Sequence, residues 1–194
     1  MTPKEEFIEI YTENIKREGA DKLLDYLLKS DFFTAPASTR FHLACENGLC
    51  IHSLNVYHRL EALYEMEYGG IALEDEKTRE SIAIAELLHD LCKVNFYAVS
   101  QRNVKDPETG TWSSQPYYTV DEKLKYGGHG SKSVFLAERF IRLEIDEAIS
   151  INNHMSAYDR SSGDYSIGGA FEGCTLALLL SFADQMASFI DEVE

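Results

Sequence analysis

The segment SIAIAELLHDLCKV, residues 81–94, sets a histidine and an aspartate at the end of an apolar helical run. Ile82, Ala85 and Leu88 recur at helical spacing, and His89 follows on the buried side. A charged pair is costly to bury unless it is given a partner. A chain of this kind must therefore fold so that other polar groups meet this helix end in the interior. Convergent helices satisfy that demand, and a metal ion is one partner suited to both side chains.

Other apolar segments carry the same kind of residue. In HSLNVYHRLEAL, His52 shares a helical face with Val56, Leu60 and Leu63. His154 closes EIDEAISINNHM where the apolar face ends. Asp184 lies in TLALLLSFADQMASFI beside Leu180, Ser181, Ala187 and Ser188, a segment without lysine or arginine to neutralise it. His129 stands in YGGHGSKSVFLAERF, ahead of a helix that Ser131 is placed to cap. The glycines around His129 permit close backbone approach. His58 shares its face with Glu61 and reads as solvent-facing.

Three- and four-residue apolar spacing predicts helices near 3–17, 20–29, 50–67, 77–92, 132–143, 145–154 and 175–190. Residues 95–104 and 111–120 are instead rich in aromatic and β-branched types. Between them KDPETG supplies turn residues, so this part reads as an inserted β-hairpin at about 95–120, either covering the core or walling a site. The expected fold is all-α: a helical bundle in one domain, 1–194. Within it, 1–38 forms an N-terminal helical extension and 39–190 the metal-binding core. With 194 residues the chain is long enough to bury a core without disulfides.

Charge narrows the partners. There are 33 acidic and 18 basic residues, a formal net charge of −15, which disfavours extended nucleic acid and anionic membranes. A small anionic substrate held by metal and local cations remains compatible. Cys45, Cys50, Cys92 and Cys174 show no framework spacing and read as reduced core residues. The acidic start resembles no targeting peptide, and no run is long enough for a membrane span, so a cytoplasmic location is expected.

Together His52, His89, Asp90, His129, His154 and Asp184 form a set of nitrogen and oxygen donors suited to manganese, iron, nickel, cobalt or zinc. Six donors exceed one closed tetrahedral site. Two metals per chain bridged by Asp90 is the economical arrangement, one that suits phosphoryl displacement.

His52, the His89–Asp90 dipeptide and the distal Asp184 resemble the HD-domain superfamily of metal-dependent phosphohydrolases. The phrase STRFHLACENGLCIHSLNVYHRL followed by ELLHDLCKV is similar to the opening of that domain, and the likeness runs from about Thr39 to Asp184. His129 and His154 match the two further histidines of its binuclear branch. The resemblance implies one metal on His52, His89, Asp90 and Asp184, and a second on Asp90, His129 and His154. It implies catalytic roles for Asp90 and for Lys93, the lysine of the HD-x-x-K phrase, which would contact substrate phosphate. Arg40, His42, Lys132 and Arg102 are further candidates for substrate contact. The chain lacks the Gly-Tyr-Pro element of the cyclic-dinucleotide branch and has no room for the nucleic-acid-binding domain of the exoribonuclease branch. Asn153, where some binuclear members place another histidine, argues against a third metal. The expected activity is hydrolysis of a small phosphoester, such as a nucleotide or nucleotide derivative, by a metal-activated hydroxide. The same ligand pattern also serves di-iron oxygenases of this fold, and a non-catalytic metal-binding regulatory module is the third reading.

Overall fold

The computed structural model describes residues 1–123, 125, 127–159 and 166–193. Its α-helices are α1 Pro3–Asn14, α2 Ala20–Lys29, α3 Gly48–Tyr68, α4 Glu76–Leu88, α5 His129–Ala137, α6 Ile145–Asn153, α7 Ser166–Gly173 and α8 Thr175–Met186. A two-stranded antiparallel sheet, β1 Tyr97–Lys105 and β2 Trp112–Val120, is inserted between α4 and α5. The helical bundle and the hairpin stand where the sequence places them, but α1 stops at Asn14 short of the expected 17, and α5 spans His129–Ala137 rather than 132–143. Helix α7 has no counterpart in the sequence reading, because SIGGAFEG carries three glycines in eight residues and no clear apolar stripe.

Helix starts follow ordinary capping chemistry. Thr2 and Glu5 exchange side-chain to backbone hydrogen bonds ahead of α1, with Pro3 in the first turn. Asp75 Oδ2 accepts from the Thr78 N–H to open α4. At α5 the expected cap is displaced. Gly128 is the N-cap and His129 the first helical residue, while Ser131 Oγ accepts from the Gly128 N–H at 3.0 Å. The glycine reading there holds at Gly130, where an added Cβ would lie 2.3 Å from the Asn152 carbonyl oxygen. That close approach brings the start of α5 against the end of α6.

Two apolar cores result. In one, Phe7, Tyr11, Leu23 and Leu27 of the first two helices pack with Leu49, Leu87, Leu88 and Ile151. In the other, Val56 and Leu60 of α3 and Ile82 and Ala85 of α4 pack with Leu180 and Ala183 of α8. Helix α3 contacts both α4 and α8, and α6 contacts α4, α5 and α8. The ends of α4 and α6 and the inner faces of α3 and α8 therefore meet in the middle of the bundle.

The hairpin pairs Tyr97 with Val120 through Lys105 with Trp112. Asp106 Oδ1 accepts from the N–H groups of Glu108 and Thr109 to make its turn. Its base is tied down by Tyr97, whose hydroxyl donates to the Ala37 carbonyl at 3.0 Å. All four cysteines are free thiols; Cys50, Cys92 and Cys174 are buried, but Cys45 is exposed on the loop before α3. Among the described residues no single helix is long and apolar enough to cross a membrane. Helices α7 and α8 pass on length and composition only as a pair bent by 111°, and α8 is a core helix.

Candidate metal centre

Each of three histidines reaches the middle of the bundle with one ring nitrogen already engaged. Helix α4 ends at Leu88, and His89 directs Nδ1 to the Glu86 carbonyl at 2.6 Å. His154, directly after α6, does the same with the Ile151 carbonyl at 2.7 Å. On α3, His52 Nδ1 lies 3.0 and 3.1 Å from the two Glu192 carboxylate oxygens. Acceptors at Nδ1 place the proton there and leave Nε2 as a lone-pair donor, the arrangement usual for metal-ligating imidazole.

The Nε2 atoms converge. His52 Nε2 is 3.2 Å from His89 Nε2 and 3.2 Å from Asp184 Oδ1. Asp90 Oδ2 lies 3.5 Å from His89 Nε2 and 3.6 Å from His52 Nε2, while Asp90 Oδ1 lies 3.6 Å from His154 Nε2. Two imidazole lone pairs facing each other at 3.2 Å are stable only with a proton or a cation between them. Among the described residues, Asp90 Oδ1 and His154 Nε2 are buried without a hydrogen-bond partner. Orphaned, mutually facing donors of this kind fit a divalent metal.

The protonation pattern shows what replaces a cation. Burial would lower His52, but the Asp184 and Glu192 carboxylates outweigh it and raise the imidazole to about 9. Burial would likewise raise Asp184, yet the bond to His52 lowers its carboxyl to about 2. Asp90 is pushed up by burial and pulled further down by Lys93 and His89, ending well below the usual carboxylate range. His89 is lowered by burial, whereas for His154 the Asp90 carboxylate outweighs burial and raises it.

Of the six expected donors, His52, His89, Asp90, His154 and Asp184 meet in this cluster, each with at most 8% of its surface exposed. Two overlapping triads of mutually close donors result, His52–His89–Asp184 and His89–Asp90–His154. His129 falls in a third group with Asp90 and Cys92. Its Nδ1 is 3.3 Å from Cys92 Sγ, and its ring meets Phe96 edge-on.

The expected substrate contacts separate. Lys93 is 8% exposed and its Nζ rests 2.6 Å from Asp90 Oδ2. The His42 ring lies 5.0 Å from that of His52, and His42, His52 and Glu192 form a further group of close donors. Lys132 is buried and paired with Glu122 on the approach to α5. Arg40 and Arg102 are exposed, their guanidinium groups over Phe41 and Tyr117. His58 is exposed and bonded to Glu6, as its face suggests.

Sequence reasoning missed Glu192 and Cys92. Glu192 lies in the acidic end DEVE, which looks like a solvated terminus. A π-helical turn over Ala187–Asp191 and an Arg59–Asp191 ion pair carry it back to His52, where Asn55 Nδ2 also donates to it at 2.9 Å. Cys92 was visible beside the His-Asp dipeptide, but only the 3₁₀ turn Leu91–Lys93 points it at His129. A surface cleft of about 910 Å³, lined by Arg17, Tyr64, Ser81 and Arg142 among others, includes none of these donors.

The fold and site define a class: a helical protein with a buried histidine–aspartate cluster able to hold a metal ion. No protein-family model, curated protein or solved structure matches the chain.

Proposed function

We propose that this protein is a metal-dependent phosphohydrolase of the HD type, acting on a small phosphoester such as a nucleotide derivative. The observation that carries the reading is the convergence of three Nε2 atoms on Asp90 and Asp184, each imidazole held from behind by an oxygen acceptor. His52, His89 and Asp184 would hold one metal. Asp90, close to donors on both sides, would bridge to a second. When bound, such a pair polarises a phosphoryl oxygen and acidifies water.

The protein groups contribute orientation and charge. Glu192 and the Glu86 and Ile151 carbonyls fix the three imidazole rings. Lys93 holds Asp90 ionised and places a cation where phosphoryl charge would develop. Burial of the cluster strengthens these interactions. The −15 net charge favours a small substrate over a polyanion.

The test is metal content with identity on protein prepared without chelator, followed by phosphate release from a panel of nucleotides. The proposal expects bound transition metal and turnover that disappears in His89→Ala and Asp90→Asn. Metal without turnover on any phosphoester would remove the hydrolase reading, and no metal after reloading would remove the centre itself.

A further inference from the structure

We propose that Cys92, together with Asp90 and His129, forms the second metal position, with the Cys92 sulfur as a thiolate ligand. This rests on the metal-centre reading and changes its donor set, since the resemblance supplies only nitrogen and oxygen.

The geometry is local and specific. Cys92 lies two residues beyond Asp90 in the Leu91–Lys93 turn, and its N–H donates to Ser133 Oγ at 3.1 Å. That bond docks the turn on α5, the helix that His129 begins. As a result Sγ lies 3.3 Å from His129 Nδ1, and ligand atoms of Asp90, Cys92 and His129 all fall within 4.8 Å of one another. His154 belongs instead to the group with His89 and Asp90. Asp90 is common to these last two groups, and its Oδ2 also lies 3.6 Å from His52 Nε2 and 3.5 Å from His89 Nε2 of the first position, so its carboxylate would serve both.

A second observation points to a ligand here. Asp90 is 2% exposed; Oδ2 receives Lys93, while Oδ1, 3.6 Å from His154 Nε2, has no hydrogen-bond partner among the described residues. A cation beside Asp90 would satisfy that oxygen. On binding, the Sγ–H bond breaks, its proton leaves to solvent and a sulfur–metal bond forms, with no change of oxidation state. One sulfur among nitrogen and oxygen donors selects a borderline ion such as zinc, cobalt or ferrous iron over manganese or magnesium.

The experiment uses the full chain with exposed Cys45 replaced by serine, stripped of metal and reloaded with cobalt or zinc. The cobalt form should show an intense thiolate-to-cobalt charge-transfer band, and the zinc form a sulfur scatterer at about 2.3 Å by X-ray absorption. Cys92→Ser should lose both and bind one equivalent less metal, whereas Cys174→Ser should keep them. The scatterer measurement needs no Cys92 variant, so it decides the matter even if that variant does not fold. Metal bound through nitrogen and oxygen alone would overturn the role of Cys92 and leave the metal centre standing. No metal bound in either form would overturn both.

Discussion

Two buried ionic clusters in this protein are built on opposite principles. Around Arg17, every charged group is hydrogen-bonded. Its guanidinium makes a two-pronged pair with Glu147 at 2.7 and 2.8 Å and reaches Glu80 at 3.1 Å and the Arg142 carbonyl at 2.9 Å. Glu147, fully buried, also accepts from the Ser81 hydroxyl and the Glu144 N–H. Around Asp90, by contrast, donors crowd together, and Asp90 Oδ1 and His154 Nε2 face each other at 3.6 Å without a hydrogen bond among the described residues. A network that closes on itself cross-links α4, α6 and the turn between α1 and α2 and asks for nothing more. A network left open at its centre is suited to a ligand. Both regions are buried and charged; satisfaction separates architecture from a binding site.

The largest expected effect breaks the closed network. Arg17→Met strands the Glu147 carboxylate and should cost about 3–5 kcal/mol in chemical denaturation, with metal content per folded chain unchanged. A loss below about 1 kcal/mol would erase the contrast, since the network would then contribute no more than a surface pair.

Next comes filling the open network. Divalent metal at roughly 100 times its dissociation constant should raise the unfolding free energy by about 2.7 kcal/mol, and chelator should reverse it. The same increment should appear in Arg17→Met if the two clusters are independent. An unchanged melting temperature on metal addition would contradict the reading of the centre.

Glu86 sharpens the comparison, because it is a buried acid whose two oxygens lack partners among the described residues. Burial first and Glu61 second push its carboxyl well above its ordinary 4.5. A folded-state value above the unfolded one gives a contribution fully present below about 4.5 and lost as pH rises through the raised value. Glu86→Leu should therefore stabilise the protein by on the order of 1 kcal/mol at alkaline pH and by less in acid. Equal gains at both would assign the effect to packing instead.

The smallest effect is the pH profile of the metal-free centre. His52, raised from 6.5 to about 9, contributes stability below 6.5 that is lost as pH rises through 9. Asp184, lowered from 3.8 to about 2, contributes stability above 3.8 that is lost as pH falls through 2. His89 is lowered, so its contribution grows as pH rises towards 6.5, below the window in which that of His52 is lost. Denaturation midpoints from pH 4 to 10 should be flatter in Asp184→Asn than in the metal-free wild type. An unaltered profile would separate Asp184 from His52.

Legibility from sequence followed the physics of each element. Long helices such as α3 and α4 were readable because one face is apolar at helical spacing, and the hairpin because its turn residues interrupt aromatic and β-branched runs. Helix α7 was not, since its glycines erase the pattern. Five of the six expected donors were legible because each is a polar group in an apolar stretch, and they do meet. Glu192 looked like part of a solvated tail, and Cys92 like an ordinary core cysteine.

By itself the sequence determined that His52, His89, Asp90, His154 and Asp184 must be buried, because their apolar neighbours leave no solvent-facing choice. It also determined that helices would bury them. Only the tertiary structure decided their pairing. Nδ1 partners, the meeting of Asp90 with His154 and the approach of Cys92 to His129 depend on where helices end and cross. Periodicity specifies the face a residue occupies, but distance between faces is set by packing of the whole bundle.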